Sequence, residues 1–350
     1  MQDLMAEVRE SIRTVLDERC TSLAVHAFID GKASVDQDLR ELAKDLGWLA
    51  ISLPEAHGGI GLGANGLAVL NYELGRAAAP GSIIATSVAL ETLARSEVSA
   101  DPAIAELIVS IVEGTTSLAI ATSFNTPHAD GAIRLIGDAS ANVALIPGEG
   151  DDLLLADLSN AVADQVVIWD ETRSILSLPS SSMKALAVLR GSRPVLFALY
   201  AIAIAADSAG AARGTLDRTI AYMKQREQFG RLIGSFQALK HRLADHQVNA
   251  KGCDELVWQA AEQFDNGAKG ALMWSLMAKA NVTDAALRIA GDCVQLHGGV
   301  GFTREYDPHL FLKRAWLNEA LLAPNGALRD KAASAFGEAL KNGHEVLEIA

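Results

Sequence analysis

The hydrophobic period of this 350-residue chain changes twice. From Leu4 to about Val112 apolar residues recur at helical spacing, as in Leu39, Leu42, Ala43 and Leu46, then Leu67, Leu70 and Leu74. After Gly114 short runs rich in β-formers take over: Ser117–Ala121, Val143–Pro147, Leu153–Ala156, Gln165–Trp169 and Ile175–Leu178. Turn-forming clusters such as Asp138–Asn142 and Gly148–Asp152 part them. From Pro194, which suits the first turn of a helix, the helical period returns over Val195–Lys224, Gln237–Phe264 and Ala268–Leu296. Small residues between Ala203 and Ala212 permit close helix packing. This order predicts an α+β fold, mainly α, with an N-terminal helical domain over 1–115, a small middle β domain over 116–190 and a C-terminal bundle of long helices over 191–350. No helices separate the strands, so they are expected to pair mainly antiparallel.

Composition narrows the function. Half of the residues are hydrophobic and only nine are proline, so a large core forms with little disorder. A net charge of −13 argues against a nucleic-acid backbone binder, whose affinity comes from massed Lys and Arg. Cys20, Cys253 and Cys293 are odd in number and widely spaced, as expected of free thiols. The longest uninterrupted apolar run, Val195–Ala206, covers 12 residues. A membrane span needs roughly 18 or more, so the run reads as a buried helix. The acidic N-terminus lacks the basic and apolar regions of a secretion signal, which makes the cytoplasm the expected location.

Several motifs reduce to packing. Gly61-Leu-Gly63-Ala-Asn-Gly66 matches the dinucleotide pattern G-x-G-x-x-G, but it follows a helical region and no strand-helix alternation comes after it, so a glycine-rich connector is expected. Cys293 with His297, and His241 with His246, lack the third and fourth ligands of a metal site. Neither His-Glu-x-x-His nor Gly-x-Ser-x-Gly occurs.

Two stretches call for more than packing. Arg226-Glu-Gln228-Phe229-Gly230, with Phe236-Gln237 beyond it, reads locally as a helix-turn-helix connection with a glycine cap. Yet it gathers an arginine suited to pyrophosphate, glutamines suited to polar ring edges and an aromatic suited to adenine. Gln295-Leu-His297-Gly298-Gly299-Val-Gly301-Phe302, with Glu305-Tyr306 after it, places three glycines just past a helix, where backbone can come close to a ligand. The pair resembles the C-terminal signatures of the acyl-CoA dehydrogenase family. Leu46-Gly-Trp, Leu53-Pro-Glu, Gly58-Gly59 and Glu73-Leu-Gly75-Arg76 resemble its N-terminal domain, so the likeness covers nearly the whole chain.

The resemblance implies FAD-dependent α,β-dehydrogenation of an acyl-CoA thioester, reoxidation by an electron-transfer acceptor, and a homo- or hetero-oligomer, typically a dimer of dimers. It assigns cofactor contacts to Arg226, Gln228, Phe229, Gln237, Gln295, Gly298 and Gly299, with the first motif reaching a neighbouring subunit's FAD. The resemblance leaves the catalytic base unassigned: threading without gaps puts Leu322 and Tyr200 at the two positions where the family keeps its glutamate, and Glu319, three residues before Leu322, is the candidate for a displaced base. The flavin-side loop is only loosely echoed by Thr122–Pro127, the Trp-containing strand is absent because Trp169 comes too late, and Ala323–Ala327 lacks the usual glycine-threonine-serine segment. Two functions follow: a self-sufficient dehydrogenase, or a catalytically incomplete subunit that assembles with a paralogous chain and completes its FAD site.

Overall fold

The computed structural model describes residues 2–124 and 131–341. Six helices form the first third: α1 (Gln2–Arg19), α2 (Ser22–Ile29), α3 (Val35–Asp45), α4 (Gly63–Arg76), α5 (Ile83–Ala94) and α6 (Pro102–Val112). The Ile51–Gly63 connector is glycine-rich for steric reasons. A Cβ on Gly59 would lie 2.0 Å from the Leu53 carbonyl oxygen, and Gly58, Gly61 and Gly63 have positive φ. Among the described residues no strand precedes α4, and its first amides are already taken: Ala64 N and Asn65 N donate to the Asp265 carboxylate at 2.7 and 3.0 Å. A phosphate would find that helix end occupied, which disposes of the dinucleotide pattern.

Seven strands follow: β1 (Leu118–Ala121), β2 (Ala132–Ile136), β3 (Val143–Pro147), β4 (Leu153–Asp157), β5 (Asp164–Val166), β6 (Ile175–Pro179) and β7 (Lys184–Leu189). They form one sheet in the order β5-β6-β2-β1-β3-β4-β7. Strands β2 and β7 go beyond the five runs legible in the sequence, and Trp169 lies past the end of β5. Pairing is antiparallel except between β1 and β3. The chain leaves β2 at the end where β1 began, passes to the other side of β1 and so starts β3 in the same direction.

The last part holds α7 (Arg193–Met223), a hairpin of β8 (Glu227–Gln228) and β9 (Arg231–Leu232), α8 (Gln237–Asp265), α9 (Ala271–His297), α10 (Pro308–Ala320) and α11 (Asn325–Lys341). Helix α7 is long and apolar enough to cross a membrane, but 94% of its most apolar stretch is buried inside the fold, packed on α4 and α9. Its alanines allow that approach, and Gly210 and Gly214 lie against the Tyr72 and Arg76 carbonyls. Buried charge ties the sheet to the helices: Asp207 on α7 meets Arg314 on α10 at 2.6 Å and Arg173, just before β6, at 2.8 Å. Asn318 adds a 2.7 Å hydrogen bond to Asp207. Burial alone would raise the Asp207 carboxyl, yet the two guanidinium groups hold it down at about 2.

Candidate functional site

The two signatures converge at one end of the bundle. Helix α7 ends beside α9, where the Tyr222 ring stacks on His297 at 4.3 Å with 18° between planes, and Tyr306 packs edge-on against both. The His297 Nδ1–H donates to the Cys293 carbonyl at 2.8 Å, so this pair is a packing and hydrogen-bonded unit. The Arg226 hairpin leaves α7 from here and the Gly298–Phe302 turn leaves α9.

The connection after α7 is a β-hairpin and not the glycine-capped helix-turn-helix expected from local sequence. Phe229 and Gly230 form its two-residue turn with φ of 56° and 73°, the left-handed pair of a type I′ turn. A non-glycine residue in that region costs about 1–2 kcal/mol, and the Phe229 ring is 92% exposed. The chain therefore holds a strained, solvent-facing aromatic that contributes nothing to its own core. Arg226, Gln228, Gln237 and Gln295 are also exposed. Among the described residues the Arg226 guanidinium makes no ion pair.

The glycines divide into two kinds. A Cβ on Gly299 meets nothing within 4 Å, and that residue has no positive φ, so the fold itself does not demand glycine there. Gly298 is equally open but has φ of 65°. Gly301, by contrast, would place a Cβ 2.5 Å from the Val294 carbonyl oxygen. The expectation that all three serve close approach to a ligand is corrected for Gly301, which packing requires.

Tyr200 and Leu322 lie at the other end. Twenty-two residues separate Tyr200 from Tyr222 along α7, about 33 Å at 1.5 Å per residue. There the segment after α10 closes on the sheet: Leu322 N donates to the Thr122 carbonyl at 2.8 Å, and Ser123 bridges Leu322. Leu322 has φ of 70° and is fully buried, with Tyr200, Phe124 and Phe197 also at 1% exposure or less. The Tyr200 hydroxyl is buried without a hydrogen-bond partner, and burial pushes its pKa upward. Of the flavin-side loop, Asn125–Pro127 lie outside the described residues.

A lysine that sequence reasoning passed over fixes this closure. Lys279, fully buried on α9, donates through Nζ to the Glu319 carbonyl at 2.7 Å, the Ala323 carbonyl at 3.0 Å and Asn325 Oδ1 at 2.8 Å. Burial pushes its ammonium down to about 8. Glu319 is half-buried on the last turn of α10. The only sequence signals were a single lysine in α9 and Asp207 at the end of the apolar run of α7.

Comparison with known proteins decides the family. Residues 196–329 match the acyl-CoA dehydrogenase C-terminal domain and residues 3–98 its N-terminal domain. Acyl-CoA dehydrogenase IpdE2 of Mycolicibacterium smegmatis is 30% identical over 318 residues, 91% of this chain and 94% of that protein. The chain belongs to the acyl-CoA dehydrogenase family. Acyl-CoA dehydrogenase FadE34 of Mycobacterium tuberculosis is 32% identical over 320 residues, 88% of this chain and 44% of that protein, so the chain spans under half of that relative's length. A variant of the Tcur3481-Tcur3483 steroid ACAD superposes with a TM-score of 0.86 at 25% identity, covering 97% of this chain and 99% of that one. The ChsE4-ChsE5 complex of Mycobacterium tuberculosis shares the fold at 22% identity, with a TM-score of 0.78 over 97% and 98% of the chains. Members of the family bind FAD.

Among the described residues, the exposed Arg226, Gln228, Gln237 and Gln295 and the open Gly298–Gly299 turn suit an added phosphate-bearing ligand such as FAD. The Leu322 end offers buried leucine, phenylalanine and an orphaned phenol, with no carboxylate among those side chains to accept a proton.

Proposed function

We propose that this chain is a base-less subunit of a heteromeric acyl-CoA dehydrogenase, contributing cofactor contacts to a paralogous chain that carries the reacting flavin and the base. The observation that carries this reading is the closure at Leu322, whose amide bonds directly to the end of β1 while its side chain fills the core. Arg226 leaves α7 beyond Tyr222, itself about 33 Å of helix from Tyr200, so it is too far away to serve a reaction there.

When bound, FAD supplies the hydride acceptor for α,β-dehydrogenation of an acyl-CoA thioester. In this reading Arg226 pairs with its diphosphate through charge-assisted hydrogen bonds, and Gln228, Gln237 and Gln295 bond its polar edges. Phe229 lies against the adenine, and the Gly298–Gly299 backbone comes close to the cofactor. An unpartnered helix face supports assembly: no residue from Gln237 to Asn249 is buried, although helices in proteins draw most of their stability from a packed face. ChsE4 and ChsE5, which share the fold, form a complex, and the likeness to a steroid ACAD favours a bulky steroid-type acyl group.

The test is purification of the chain alone and with a co-expressed paralogue, with absorbance spectra, native mass and flavin reduction by acyl-CoA. The expected result is a colourless, inactive chain alone and a yellow, active assembly. One flavin per chain in the lone protein, bleached by an acyl-CoA, overturns the reading. Glu319→Gln then becomes the variant that tests a displaced base.

A further inference from the structure

Two tryptophans stand together at the surface. Trp169, just past edge strand β5, is 70% exposed, and Trp316 on α10 is 41% exposed, with their rings edge to face at 5.1 Å. Val167 beside them is 97% exposed, and a cleft of about 460 Å³ opens along Ile168, Lys313 and Leu317. Contiguous apolar surface of this kind marks an interaction site, and tryptophan leads the residues that dominate interfaces. Charge nearby is neutralised within the chain. Glu171 accepts from Arg304 at 3.0 Å and Lys313 at 2.6 Å, and the buried Asp170 carboxylate lies 3.9 Å from the Arg173 guanidinium. No unpaired carboxylate among these groups would repel an apolar partner.

Position says what covers the patch. Helix α10 begins just after the Gly298–Tyr306 segment, and Arg304 of that segment reaches Glu171 beside Trp169. Its other end runs into Leu322. In the reading proposed above, on which this inference rests, the first end lies on the partner's cofactor, and the partner's corresponding segment comes to the second. Paired subunits of one fold repeat each contact reciprocally, i to j and j to i. Surface midway between the two exchanged ends therefore falls near the axis and meets its own counterpart. We propose that the Trp169–Trp316 face is the central contact with the partner chain of the same fold, packed against that chain's α10 at a pseudo-two-fold axis.

The experiment uses the purified assembly and places a photo-crosslinking benzoylphenylalanine at position 316, in parallel with the double variant Trp169→Ser/Trp316→Ser. Crosslinks to the partner's α10 are expected. The double variant should raise the dissociation constant at least about a hundredfold, with little change in the melting temperature of the isolated chain, because both rings are exposed. An unchanged dissociation constant, or crosslinks confined to one chain, overturns the inference. Arg226→Ala separates the two ideas. If it lowers flavin content while the tryptophan variant leaves association intact, the subunit reading stands and this contact falls. A single-chain native mass in every preparation sinks both.

Discussion

Leu322 sets two physical effects against each other, and replacing it with alanine and with glycine measures both. Its side chain is fully buried, so Leu322→Ala loses transfer energy and leaves a cavity, at a cost of about 3–5 kcal/mol. Glycine removes one further methyl, worth about 0.8 kcal/mol, and at an ordinary buried position would also add about 0.5–1 kcal/mol of chain entropy. Here, however, φ is 70°, a region that costs a side-chain-bearing residue about 1–2 kcal/mol and costs glycine almost nothing. The terms nearly cancel, and the two variants are expected within about 1 kcal/mol of each other, both roughly 3 kcal/mol or more below the parent. Urea unfolding followed by circular dichroism, with one shared m-value, reads the difference. An alanine variant that loses under about 1 kcal/mol would show that Leu322 does not fill the core. A glycine variant more than about 1.5 kcal/mol below alanine would show that its backbone is not left-handed.

Three further expectations follow from the same geometry. Arg226→Ala should lower FAD retention in the assembled protein and leave the unfolding midpoint of the isolated chain unchanged, because the side chain is exposed and unpaired; equal flavin content in both proteins refutes this. Gly301→Ala should cost about 1–3 kcal/mol through its clash with the Val294 carbonyl. Gly299→Ala should stay within about 0.5 kcal/mol, so thermal melts that rank the two the other way would contradict the packing described. Asp207 is held below its unfolded value of about 3.9, so its contribution is present above that pH and is lost as pH falls through 4 toward 2. Asp207→Asn should flatten that acid slope and, by removing the carboxylate that Arg173 and Arg314 share and leaving Asp170 as the only acid near them among the described residues, destabilise the protein at pH 7; parallel pH profiles for parent and variant would refute the assignment.

The order of helices, strands and helices was legible from hydrophobic period, because each face that packs must repeat at 3.6 or 2 residues whatever it packs against. The three long C-terminal helices, five strand positions and the convergence of two polar, glycine-bearing signatures on one ligand chemistry came from residue types alone. Strands β2 and β7 are apolar in sequence, Ala-Ile-Arg-Leu-Ile and Lys-Ala-Leu-Ala-Val-Leu, but half-buried and largely exposed residues leave them without the alternation of a one-faced strand, and they escaped notice. The Arg226 segment read as a helix cap because glycine serves both a cap and a type I′ turn, and only the paired strands distinguish them.

That Leu322 and Tyr200 are not carboxylates was also legible in the sequence, since identity at a position needs no coordinates. Tertiary structure decided how the two residues are held. The Thr122–Leu322 hydrogen bond spans 200 residues, and the three acceptors of Lys279 lie 40 to 46 residues away in the chain. Neither contact leaves a local pattern, because a buried hydrogen bond depends on where the chain returns and not on which residues adjoin it. The same holds for Trp169 and Trp316, which become one exposed patch only when the segment after β5 comes against α10.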